Sequence, residues 1–132
     1  MTVFADTFAL IAWLNPRDHA HAVVTEYLES YSGRLVTTEW VFMELADALC
    51  APDFRLKAAA FINAIRGDSQ FDIVEYGPEP YRAGFDLFAA RPDKAWSLTD
   101  CISFAVMAGH NLSEALTADH HFEQAGFRAV FK

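Results

Sequence analysis

Short apolar runs alternate with amphipathic stretches along the chain, and no two-residue hairpin turn joins any two of the runs. Short, continuously apolar strands are buried on both faces, and joining them through helices instead of hairpins requires parallel pairing with helical crossovers. The pattern predicts an α/β fold, a three-layer α/β/α sandwich with a short, mostly parallel central sheet. Val3–Ala5 is a strand closed by Asp6, after which Phe8, Leu10, Ile11, Trp13 and Leu14 recur at helical spacing. Asn15-Pro16-Arg17-Asp18 carries the residues of a helix start, for a helix running to Tyr31 and stopped at Gly33. Leu35–Thr37 is a second strand, and Phe42, Leu45 and Leu49 make the inward stripe of a helix that ends before Pro52. Helices follow over Asp53–Ile65, Pro80–Ala90, Ser97–Met107 and His120–Gln124, with strands over Phe71–Tyr76, Ala115–Thr117 and Ala129–Phe131.

The 132 residues are the size of one domain, residues 1–132, and an apolar fraction of 53% excludes a disordered chain. The early charge at Asp6 and the lack of a long apolar stretch predict neither export nor a membrane span, and a cytoplasmic setting. Cys50 and Cys101 stand alone, without metal-ligand spacing or a disulfide framework. A net charge of −8 repels phosphate, which argues against non-specific duplex binding through a broad basic face. A nucleic-acid role must rest on a local site or on bound cations. No glycine-rich phosphate loop is present, which excludes P-loop nucleotide hydrolysis.

In parallel sheets, function collects in the crevice beyond the carboxyl ends of the strands. Asp6 ends the first strand, Asp119 lies just past the strand carrying Leu116, Asp100 sits in the first turn of the Ser97 helix, and Glu44 lies within the helix after the second strand. Each has a structural reading of its own. Asp6 and Asp119 can cap helices, Ser97-Leu98-Thr99-Asp100 matches a capping box, and Glu44 can be a solvated helix residue. Together they point elsewhere, because carboxylates aimed at one crevice repel one another and are tolerated chiefly when divalent cations neutralise them. Oxygen-only ligands suit Mg2+ or Mn2+.

These residues carry a resemblance. Asp6-Thr7 before an apolar helix, Glu44-Leu45 within one, Ser97-Leu98-Thr99-Asp100 running into Ile102 and Phe104, and Leu116-Thr117-Ala118-Asp119 followed by Phe122 and Gly126-Phe127 resemble, in order and spacing, the motifs of the PIN-domain ribonucleases. The compact form is similar to the VapC-type toxins of bacterial toxin-antitoxin pairs. The resemblance implies a metal-dependent endoribonuclease with Asp6, Glu44, Asp100 and Asp119 as its acidic quartet, Asp6, Asp100 and Asp119 as metal ligands, and Thr7 and Thr117 as supporting hydroxyls. It also implies an RNA substrate and a cognate antitoxin that covers the site with an Arg or Lys. One departure is Phe8, where many relatives have Asn or Ser to orient the ligands. A basic rim for RNA is expected from Arg17, Arg91 and Lys94, and exposed aromatics in so small a chain suggest a homodimer.

His120 and His121 lack any known metal spacing and are expected on the surface of their helix, as are His19 and His21. Trp40, one turn before Glu44, suits packing or a dimer contact more than base stacking, and Asp47 a solvated position. A receiver-type signalling module would need a phosphoacceptor Asp after the third strand, where this chain has Gly77-Pro78-Glu79. A phosphatase of the Asp-nucleophile kind would need a second Asp at position 8. A PIN-like scaffold that only binds RNA or protein is the remaining alternative.

Overall fold

The computed structural model describes residues 1–132. Five strands, β1 (Thr2–Ala5), β2 (Arg34–Thr38), β3 (Phe71–Val74), β4 (Glu114–Leu116) and β5 (Arg128–Ala129), form one sheet in the order β3-β2-β1-β4-β5. Every neighbouring pair is parallel. Seven helices connect and cover them: α1 (Thr7–Leu14), α2 (His21–Ser30), α3 (Glu39–Ala48), α4 (Pro52–Arg66), α5 (Pro78–Ala90), α6 (Leu98–Gly109) and α7 (His120–Gln124). The result is the expected three-layer α/β/α sandwich. Its strand order also differs from the 2-1-3-4-5 order of receiver modules. No helix is long and apolar enough to cross a membrane.

Val3, Phe4 and Ala5 are all buried, as the innermost strand of a covered parallel sheet must be. Around β1 lie Leu10, Leu35, Val41, Leu45, Ile102, Met107, Leu116 and Phe122 in one continuous core. Helix α1 packs on α2 and α3, α3 on α4 and α6, and α6 on α5 and α7. Phe104 joins α6 to α7 through an edge-on contact with Phe122, 4.9 Å between ring centres.

Helices α5 and α6 approach so closely that a Cβ added at Gly84 would lie 2.3 Å from Ile102 Cγ1 and 2.7 Å from its Cα. Alanine is favoured over glycine in a helix by about 1 kcal/mol, but displacing packed backbone costs about 1–3 kcal/mol beyond that gain. Gly84→Ala is therefore expected to be destabilising, read as a lower urea midpoint with an unchanged slope.

Several element ends differ from their expected places, two of them through local competition for backbone amides. The helix expected from Asn15 begins instead at His21. Asn15 ends α1, its Oδ1 accepts from the Arg17 amide at 3.1 Å, and Asp18 Oδ1 accepts from the Ala20 amide at 2.9 Å. Two consecutive side-chain turns thus take the amides that a helix start would have used. Strand β3 stops at Val74 instead of Tyr76, whose amide donates to Glu39 Oε1 at 2.5 Å rather than to the sheet. Strand β5 begins one residue earlier than expected, at Arg128, and ends two residues earlier, at Ala129.

Candidate active site

The sheet order turns back on itself between β1 and β4, and the carboxyl ends of these two strands open on the crevice where parallel sheets hold ligands. Asp6 follows β1 directly. It stands at the N-cap of α1 but makes no side-chain cap hydrogen bond. Its Oδ2 instead accepts from Thr117 Oγ1, at the end of β4, at 2.9 Å. Burial pushes the Asp6 carboxyl up to about 7, against the pull of the Thr117 hydroxyl and the Thr7 amide, and the charges of Asp100 and Glu44 add to the rise. An acid held this way resists ionisation unless a cation compensates.

Each neighbour is fixed by its own element. Thr7, in the first turn of α1, donates from Oγ1 to Glu44 Oε1 at 2.5 Å and fastens α1 to α3. Glu44 is thus engaged in the crevice and not left as a solvated helix residue. Asp100 forms the capping box foreseen in the sequence: its amide donates to Ser97 Oγ at 3.0 Å and its Oδ2 accepts from the Ser97 amide at 3.1 Å. That same carboxylate acts on Asp6. One side chain thus closes the helix cap and also lies near enough to Asp6 to raise its carboxyl. Asp119 Oδ1 caps α7 by accepting from the His121 amide at 2.9 Å, and its own amide donates to Thr117 Oγ1 at 3.1 Å. Thr117 therefore links Asp6 to Asp119. Thr37, which the sequence reading missed, donates to the Ala5 carbonyl at 2.8 Å and ties the end of β2 to that of β1 beside Asp6.

The histidines divide. His120 is on the surface as expected, its side chain 57% exposed. His121 is not: its side chain is 21% exposed, and Nδ1 stands 3.4 Å from both Asp100 Oδ2 and Asp119 Oδ1. Spacing alone gave no sign of this, because Asp100 is brought to His121 only by the packing of α6 against α7.

The other expected residues lie apart. Arg91 pairs with Asp93 at 2.9 Å and stacks over Trp96, Arg17 is exposed in the turn after α1, and Lys94 is half-buried. None of the three makes a hydrogen bond or an ion pair with Asp6, Glu44, Asp100 or Asp119. Phe8 packs on Phe131 and edge-on against His19. Trp40 is buried and stacked on Tyr76, 5.3 Å between ring centres, so it packs as expected. A cavity of about 150 Å³ lined by Trp40, Met43, Glu44, Asp47 and Thr99 opens beside the acids.

The ion pairs made by Lys and Arg join Arg34 to Asp72, Arg66 to Glu39, Arg91 to Asp93, Arg128 to Glu114 and Lys132 to Glu123. The crevice acids receive none of these cations. Carboxylates clustered with hydroxyls, one of them buried and reluctant to ionise, fit a divalent cation on the chemistry of the donors present.

The family model of the PIN domain matches residues 3–128. No curated protein matches the chain. Among solved structures, VapC20 of Mycobacterium tuberculosis, described as a sarcin-ricin loop cleaving toxin, superposes with a TM-score of 0.88 at 23% identity, over 97% of this chain and 98% of that one. FitAcB of Neisseria gonorrhoeae gives 0.70 at 18% identity, over 100% and 97%. VapBC2 of Rickettsia felis, solved with a DNA fragment from its promoter, gives 0.67 at 12% identity, over 95% and 93%. These are likenesses of fold, and they extend over nearly the full length of both partners. The family match runs from within β1 to the start of β5 and takes in all four crevice acids, so the chain belongs to the PIN-domain family.

Proposed function

We propose that this chain is a VapC-type toxin, a single nuclease domain over residues 1–132 that hydrolyses RNA phosphodiester bonds with the help of Mg2+ or Mn2+ in the cytoplasm. The observation that carries this reading is the crevice where Glu44, Asp100 and the buried Asp6, its carboxyl pushed up to about 7, stand without a Lys or Arg partner. Asp6, Asp100 and Asp119 would hold the cation, with Glu44 completing the acidic quartet. A divalent ion there supplies Lewis acidity, making water a better nucleophile and offsetting charge that builds on the phosphodiester. Thr117 holds Asp6 and the start of the Asp119 loop in one position, and Thr7 does the same for Glu44. Asp100 is pre-set by its capping box, so no side-chain search precedes binding.

A cognate antitoxin is the fitting regulator. A pocket of carboxylates without a counter-ion attracts an Arg or Lys side chain as it attracts a metal, and either would exclude the other. A homodimer through exposed aromatics such as Tyr81, Phe85 and Phe88 belongs to the same proposal.

The test is cleavage of an RNA panel that includes a sarcin-ricin loop hairpin, by protein stripped with EDTA and then supplied with Mn2+. Cleavage that appears only with the ion supports the reading. Full activity without the ion contradicts it, and ion binding without cleavage of any RNA supports the scaffold reading instead.

A further inference from the structure

The cavity beside the acids has walls that the hydrolysis of a phosphodiester does not use. Trp40, Met43, Glu44 and Asp47 stand three and four residues apart along α3 and share one face of that helix, and Thr99, in the first turn of α6, closes the other side. Glu44 belongs to the acidic quartet and Thr99 immediately precedes Asp100, so an occupant of this space adjoins whatever the acids hold. At about 150 Å³ the cavity is smaller than the roughly 300–1,000 Å³ pockets that enclose drug-sized ligands, and it suits one ring system better than a whole nucleotide.

The lining selects the chemistry. It holds two carboxylates and no Lys or Arg, so it repels anions and favours a neutral group that donates hydrogen bonds. Glu44 already accepts from the Thr7 hydroxyl. Asp47 is exposed and enters no ion pair, which leaves its carboxylate open to a ligand. Met43, 53% exposed, offers an apolar surface on which a flat group can pack out of water. Trp40 is occupied by its stack on Tyr76 and serves as the back wall.

An unpaired RNA base meets these demands, being neutral, apolar on its faces and hydrogen-bonding at its edge. Among the four bases only guanine sets two donors, N1–H and the N2 amino group, side by side on its Watson–Crick edge, where two carboxylate oxygens can accept them together. Adenine, cytosine and uracil each put an acceptor beside the donor and would turn it toward an Asp47 oxygen. An arginine from a partner protein also brings two donors, but it has no acceptor for the Thr99 hydroxyl, as guanine has in O6.

We infer that this cavity is a subsite for one unpaired guanine beside the bond that is cut, read by Asp47 and packed on Met43. The inference rests on the proposed RNA hydrolysis at the four acids and adds a sequence preference to it.

The experiment maps every cut that Mn2+-loaded protein makes in a single-stranded RNA pool of randomised sequence, for wild type, Asp47→Asn and Asp47→Ala. Wild type is expected to favour guanosine over adenosine about tenfold or more at one fixed place relative to the cut. Inosine at that place, which lacks the N2 amino group, is expected to lose most of the advantage. Asp47→Asn replaces one acceptor with a donor, which suits the donor–acceptor edge of adenine, and is expected to shift the preference from guanosine to adenosine. Asp47→Ala is expected to lose the preference without gaining another. Both variants are expected to keep the wild-type rise in melting temperature on adding Mn2+, because Asp47 lies outside the proposed cation site. Cuts that ignore guanosine in wild type, or a guanosine preference intact in both variants, overturn the inference, leave the proposed function standing and assign the cavity to a partner's arginine instead. Loss of the Mn2+ effect in both variants also overturns it and makes Asp47 part of the cation site. If wild type cuts no RNA, the inference falls with the proposed function.

Discussion

Asp6→Asn is expected to melt higher than wild type in EDTA at neutral pH, the reverse of what removing a well-placed polar side chain usually does. The Asp6 carboxyl is raised from 3.8 to about 7, first by burial and further by the charges of Asp100 and Glu44. Between those two values the folded chain keeps a proton that the unfolded chain has released, so wild-type stability falls as pH rises through this window. The displacement corresponds to about 4 kcal/mol at roughly 1.4 kcal/mol per pH unit, all of it present at neutral pH and above. Asparagine keeps the shape, can still accept from Thr117 and carries no charge. The expected gain is on the order of 10 °C in apo melting temperature at pH 7 to 8, shrinking to nothing below about pH 4, where the wild-type carboxyl is protonated in both states. Melting curves of the two proteins across that pH range check the sign and the window together.

Asp100→Asn is expected to lower RNA cleavage by at least about a hundredfold while changing fold stability by less than about 1 kcal/mol. The asparagine oxygen can still accept from the Ser97 amide, so the capping box survives in part, and the variant is relieved of a charge that acts on Asp6. What it loses is the charge that the proposed site would offer a cation. Ser97→Ala is the mirror experiment. It removes the hydroxyl that accepts from the Asp100 amide and is expected to cost about 1 kcal/mol of stability, with cleavage within about fivefold of wild type. Measuring both quantities on both variants separates the two roles of this one helix start. Equal losses of activity in the two would mean that Asp100 acts through the helix alone.

The parts of this molecule that could be read from its sequence are those set by neighbours along the chain. Val3–Ala5 is apolar because both faces of β1 are covered, and Ser97 and Asp100 sit three apart because the box needs that spacing. The strand order could not be read this way, since β1 lies between β2 and β4 only after crossovers that no local pattern encodes. The turn at Asn15 was misjudged because the same residue types serve helix caps and side-chain turns, and only the surrounding packing decides between them. His121 was missed for a related reason. Its approach to Asp100 depends on the Phe104–Phe122 contact and on the bond from Trp96 Nε1 to Gln124 Oε1 at 3.0 Å, which dock α7 near the start of α6. The four acids and the hydroxyls of Thr7 and Thr117 could be proposed from order and position, but the bonds those hydroxyls make to Glu44 and Asp6, and the part played by Thr37, are visible only in three dimensions.

The claim that these acids form one cation site is tested most directly by the rise in melting temperature that saturating Mn2+ produces in wild type and in Asp6→Asn, Glu44→Gln, Asp100→Asn and Asp119→Asn. A ligand that binds only the native state stabilises it in proportion to the logarithm of its concentration over its dissociation constant. The account predicts a clear rise in wild type and a much smaller one in every variant, with Asp6→Asn starting from the highest melting temperature in EDTA. A rise of undiminished size in all four variants, or none in wild type, would contradict it.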